Sequence, residues 1–177
     1  SNMEVRQPTT AKITDSLNYD QDFSEAIRRV LSHPSVASKS FLITIGDRSV
    51  GGLVARDQMV GRYQVPTSNY AMSTKSFLSN EGDVLSIGEK PTLAIKNPAA
   101  SLRMALAEAL TNLVSAPVKN LNLVRLSANW MAACGDEKEN HALRVGVEAL
   151  SSMCVELGIA IPVGKDSLSM RTKWTEN

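Results

Sequence analysis

Histidine, cysteine and aromatic residues are scarce in this 177-residue chain, and each shortage removes a class of function. The two histidines, His33 and His141, and the two cysteines, Cys134 and Cys154, form no close cluster of the kind a structural zinc ion needs. Two cysteines cannot make a disulfide framework, and their apolar neighbours predict buried thiols in a reducing, cytoplasmic compartment. Aromatics make up 5% of the chain, too few for a base-stacking platform. A formal net charge of +1 gives no basic footprint for nucleic acid. No apolar run approaches the length of a membrane span, and no signal-peptide pattern is present.

What remains is an ordinary globular composition, 43% hydrophobic and 21% charged, in a length suited to one well-packed domain. The Ser-Asn ahead of Met3 reads as an expression scar, residues 1–19 as a flexible lead-in and residues 20–177 as the domain. The chain stops at RTKWTEN just after an apparently structured segment, and the expectation is a piece of a longer protein.

The strongest local signal is a helix across NPAASLRMALAEALTNLVSA, Asn97 to Ala116. Asn97 suits the N-cap and Pro98 the first helical position, where a missing N–H costs nothing. Leu102, Leu106, Leu110 and neighbouring alanines supply an apolar face. Glu108 and Asn112 stand at i and i+4, so one carboxylate and one amide oxygen point the same way. Such hard oxygen donors suit Mg²⁺, which takes one or two carboxylates and leaves its other positions to water and phosphate. Spacing alone favours the plainer reading, a solvated polar pair.

A second long helix is predicted from Asp136 to Leu157, with Leu143, Val147, Leu150, Met153 and Cys154 at core spacing and Gly158 ending it. A shorter one starts at Asp20 or Asp22 and runs to Leu31, with Phe23, Ile27, Val30 and Leu31 on its inner face; His33-Pro34 ends it. Strands are predicted at Ser40–Ile45, Val50–Ala55, Tyr63–Pro66, Asn69–Ser73, Pro91–Lys96, Asn120–Ala128 and Ile159–Val163. Residues 74–89 read as an exposed loop. That order predicts an α+β domain: a twisted sheet with two long helices on one face, the other sheet face finding cover in a partner domain or a second copy.

Three further segments carry candidate chemistry. GKDS, Gly164 to Ser167, reads as a strand-end loop where Lys165 and Ser167 can meet a phosphate, but a P-loop needs glycine at position 159 and finds Ile159. GDRSVGGLVARDQMVG, Gly46 to Gly61, offers glycines for close approach to an anion and Arg48 and Arg56 to grip it, or simply tight turns. Trp130 and Met131 in NWMAACG, Asn129 to Gly135, suit core packing.

Several segments taken together resemble the large single-chain form of phosphoribosylformylglycinamidine synthase, the glutamine-dependent ligase of purine biosynthesis. They are FLITIGDRSVGGLVARDQMVG, QVP at Gln64 to Pro66, SIGE at Ser86 to Glu89, EALTN, LSANWMAACG and IPVGKDSLSM, in order from about Val30 to Trp174. The resemblance implies an enzyme that converts formylglycinamide ribonucleotide, ATP and glutamine into formylglycinamidine ribonucleotide. This chain looks like the N-terminal-type domain of its second synthetase half, similar to the N-terminal domain of aminoimidazole ribonucleotide synthetase. Such domains pair sheet to sheet into a β-barrel, which would cover the open sheet face.

The resemblance also implies an auxiliary Mg²⁺ and ATP/ADP site, with metal ligands on Glu108, Asn112 and Asn69, a nucleotide contact on Ser68 and a further acidic ligand beyond residue 177. Asn69 departs from the family's aspartate and removes one negative charge from a dication site. No residue here is implied as catalytic, and neither cysteine belongs to a glutaminase constellation. The implied partners are the first synthetase half, the C-terminal-type domains and the glutaminase, with no nucleic acid and no membrane. The fragment alone is expected to lack synthetase activity, to bind Mg·ADP weakly and to self-associate through its sheet face. The rival readings are a non-catalytic dimerisation or binding domain, and an unrelated Mg²⁺-dependent phosphotransferase using Glu108 with Asp47 or Asp57.

Overall fold

The computed structural model describes residues 22–38, 40–46 and 51–175. The described residues fall into two compact units, one ending at Leu85 and the other beginning at Ser86. The lead-in, Asp47 and Arg48 lie outside the described residues.

In the first unit, α1 spans Phe23–Ser32, and Asp22 caps it by accepting from Ser24 N at 3.0 Å. Its amphipathic pattern is the predicted one, but Phe23, Ile27, Val30 and Leu31 are all exposed rather than inward. SFLITI is not a buried strand. Residues Ser40–Thr44 form a short exposed helix, α2. Ser38 Oγ accepts from Ser40 N, and Thr44 Oγ1 donates back to Ser40 O at 3.0 Å. These local side-chain bonds override the β preference of Phe, Ile and Thr.

Three short strands then form an antiparallel sheet in the order β1 (Val54–Arg56), β2 (Ala71–Thr74) and β3 (Gly82–Leu85). The β2–β3 register runs from Ala71 opposite Leu85 to Thr74 opposite Gly82, and a bulge interrupts β1 between Val54 and Arg56. β3 corrects the reading of residues 74–89 as loop. Only 75–81 turn back on themselves, closed by Lys75 N donating to Glu81 O at 2.9 Å and by the Lys75–Glu81 ion pair. Tyr63–Pro66 is a turn rather than a strand: Gln64 has φ +49° and its N–H donates to Gly61 O, a geometry no ladder accommodates.

The second unit begins with a correction. Pro91–Ala94 is a helical turn, α3, not a strand. Pro91 has no N–H to give a ladder, and its fixed φ suits the first helical position. The main helix α4, Pro98–Leu113, starts as predicted: Asn97 Oδ1 accepts from Ala100 N at 2.9 Å, with Pro98 next. β4, Arg125–Met131, alternates exposed and half-buried residues along its whole length. α5, Glu137–Leu157, is capped by Asp136 Oδ1 accepting from Lys138 N. Gly158 closes it at φ +67°, with Gly158 N bonding Val155 O and Ile159 N bonding Cys154 O, the paired bonds of a Schellman motif.

β5, Ala160–Ser167, pairs parallel with β4, α5 making the crossover that parallel strands need. GKDS is therefore strand, not loop. Gly164 to Ser167 lie opposite Ala128 to Met131, with Lys165 beside Asn129. The core of this unit joins Leu106, Leu150 and Cys154 with Leu102, Leu110, Leu126, Trp130, Met153, Leu157 and Ile161. Trp130 takes part as expected, while Met131 points out.

The architecture is mixed α+β with two longer packed helices, but its strands form two small sheets rather than one, and no barrel closes among the described residues. Connectivity explains the division. The long connection 57–70 and the turn 75–81 join the first three strands into an antiparallel meander, and a helix joins the last two into a parallel pair. Cys154 is buried and Cys134 exposed, so the prediction of two buried thiols fails for Cys134.

Candidate functional site

α4 carries Glu108 and Asn112 one turn apart, and both reach the same neighbour, the segment from Ser86 to Lys90. This segment lies along the helix as a strap. Gly88 explains the closeness: a Cβ there would sit 2.0 Å from Ala105 O and 2.5 Å from Ala109 N, so any side chain would force the strap away. Ala105 and Ala109 complete the fit by offering only methyl groups at i and i+4.

Four polar contacts fasten the strap. Ser86 Oγ donates to Ala109 O at 2.8 Å, and Asn112 Nδ2 donates to Ile87 O at 2.9 Å. Lys90 Nζ donates to Glu108 Oε2 as an ion pair, and buried Ser101 donates through Oγ to Lys90 O at 2.6 Å. Asn112 is thereby oriented. Its nitrogen is committed to the strap, and its carbonyl oxygen is the atom left to meet a hard cation. Glu108 contributes a carboxylate on the same face, so these two donors fit Mg²⁺ in kind.

Ser68 and Asn69 belong to the first unit. Ser68 Oγ donates to Tyr70 O at 2.6 Å and accepts from Arg56 Nε at 2.8 Å, so its hydroxyl organises the turn into β2. The Arg56 guanidinium lies 4.6 Å from the Tyr70 ring centroid. This arginine braces the buried Tyr70, where the glycine-rich run had suggested a grip on an anion. Asn69, between Ser68 and Tyr70, is exposed.

Among the described residues, no group of three or more His, Cys, Asp or Glu side chains could hold a metal ion. Lys165 and Ser167 sit on β5, Lys165 exposed. Burial pushes the Cys154 thiol up. Glu25, on α1, is lowered first by its hydrogen bond to Arg28.

Sequence reasoning missed Lys90. Its contact with Glu108 depends on the chain turning through α3 and back along α4, which no local pattern reveals. The glycine of SIGE was the available signal, since a glycine between extended residues often marks close backbone approach. Residues 38–177 match the family model described as FGAR-AT PurM_N-like domain.

Proposed function

The chain belongs to the FGAR-AT PurM_N-like domain family, and from that premise we propose what it contributes to that purine-biosynthetic ligase. It serves as a domain of the glutamine-dependent enzyme that converts formylglycinamide ribonucleotide to formylglycinamidine ribonucleotide, and it carries part of an auxiliary Mg-nucleotide site. Glu108 and Asn112 supply oxygen ligands from α4. The observation that carries this reading is the pairing on α4: a carboxylate and an amide on one face, the amide nitrogen tied to Ile87 O so that its oxygen is presented. When bound, Mg²⁺ would neutralise phosphate charge beside that face. The chain's own residues hold and orient; none is assigned a bond-making step.

Membership also supports the remaining domains of the ligase as partners, with the outward β4 residues Arg125, Ser127, Asn129 and Met131 as the surface that pairs with another sheet. No described helix is long and apolar enough to cross a membrane. Calorimetric titration of the chain with Mg·ADP tests the site: weak binding, lost in Glu108→Ala, is the expected result. Equal binding by the wild type and Glu108→Ala would remove Glu108 from the ligand set.

One observation favours a second reading. Glu108 and Asn112 already have work to do, fastening the strap, and a domain that only docks against its neighbours needs nothing more from them. Absence of any Mg·ADP heat in the wild type would select this alternative.

A further inference from the structure

The carboxylate assigned to the metal already has a cation on it. Lys90 Nζ donates to Glu108 Oε2, with side-chain exposures of 36% and 34%, so the pair is only partly open to solvent. Lys90 is also not a loosely hung surface lysine. Its carbonyl oxygen is held by buried Ser101, Gly88 presses the preceding backbone against Ala105 and Ala109, and Pro91 starts α3 immediately after it. The root of the side chain is therefore fixed on both sides, and its ammonium is kept within reach of one carboxylate.

An ammonium and a divalent ion on the same carboxylate compete, because each is stabilised by the same negative charge and each repels the other. We propose that Lys90 sets the ion selectivity of this site: it is a tethered cation that disfavours a bare divalent ion at Glu108 and yields to one that arrives with phosphate. Phosphate oxygens can take up the displaced ammonium as an ion pair, whereas a bare ion leaves it beside an uncompensated dication. Lys90 thus acts on Glu108 before the ion arrives and on the phosphate after it, and the inference rests on Glu108 and Asn112 being ligands.

The test uses the whole chain with Mn²⁺ alone and with Mn·ADP, the free aquo-Mn²⁺ being read by electron paramagnetic resonance. Thermal melts establish that each variant is folded. Lys90→Gln is expected to tighten bare Mn²⁺ by about tenfold, a value kept well below the low-dielectric limit because the pair is a third exposed. Its affinity for Mn·ADP should change less than twofold, so the preference for the metal–nucleotide complex collapses. Lys90→Arg, which keeps the charge, should hold bare Mn²⁺ at the wild-type affinity. Unchanged Mn²⁺ affinity in Lys90→Gln, or equal tightening in Lys90→Arg, overturns the inference. Glu108→Gln separates the two levels: if it abolishes Mn·ADP binding while Lys90→Gln changes nothing, the site stands and the role of Lys90 falls. If no variant binds Mn²⁺ in either form, the site and the inference fall together.

Discussion

The two units of the chain spend their apolar residues differently. From Ser86 onward, α4, α5, β4 and β5 turn their side chains toward one another, and Leu106 and Cys154 are each 3% exposed. Before Leu85, only Met59 and Tyr70 are buried hydrophobics among the described residues, while Phe23 on α1 remains 78% exposed. Two packed helices and a parallel strand pair close a core of their own, since each element presents its apolar stripe to another. A three-stranded meander of strands this short has little to enclose, and three strands are near the lower limit for independent stability. The second unit therefore closes a core of its own, while the first leaves most of its apolar side chains in need of cover.

The largest effect should fall on the closed core. Leu150→Ala removes a buried side chain from the cluster with Leu106 and Cys154 and should cost about 2–4 kcal/mol in denaturant unfolding. Phe23→Ala on α1 should stay within about 0.5 kcal/mol, because that residue is 78% exposed. If the two substitutions cost the same, the contrast between the units is wrong, and α1 is packed in solution.

Gly88→Ala comes next. The added methyl would collide with Ala105 O and Ala109 N, both backbone atoms of a helix that cannot yield. The strap must lift instead, weakening the bonds from Ser86 and Asn112. A loss of about 1–3 kcal/mol is expected, of the size of a lost set of strap contacts. Hydrogen exchange should locate it, with protection falling along α4 near Ala109 and not at β2–β3. Uniform loss across both units would mean that the strap is not a local device.

How far the amino-acid sequence led follows from the range of each signal. α4 and α5 were legible at both ends because Asn97, Pro98, Asp136 and Gly158 act on backbone groups within a turn of themselves. Ser40–Thr44 and Pro91–Ala94 were misread as strands, since β-branched composition is a weak preference that Ser38 and Pro91 outweighed locally. The extent of β5 through GKDS was hidden because strand length depends on the partner β4, which lies across a helix in the chain. At the candidate site, the i, i+4 pair of Glu108 and Asn112 was legible and the strap was not. Ile87 and Lys90 lie 25 and 18 residues away from the side chains they bind.

The smallest effect concerns the two thiols, and it distinguishes the core from its rim within one unit. Burial pushes the Cys154 thiol above its ordinary value of 9.0, while Cys134 is exposed. A folded thiol with a raised pKa stays protonated where the unfolded chain already ionises. Its stabilising contribution is therefore complete below about pH 9.0 and is lost as pH climbs from there through the higher folded value. A thiol reagent at pH 8 should accordingly modify Cys134 promptly and Cys154 only at the rate of opening or unfolding. Replacing Cys154 with alanine should flatten the alkaline fall in stability by a small margin. Rapid labelling of both thiols in the native chain would mean that the helix-and-strand core is open on the timescale of the reaction, and that the second unit is no more self-sufficient than the first.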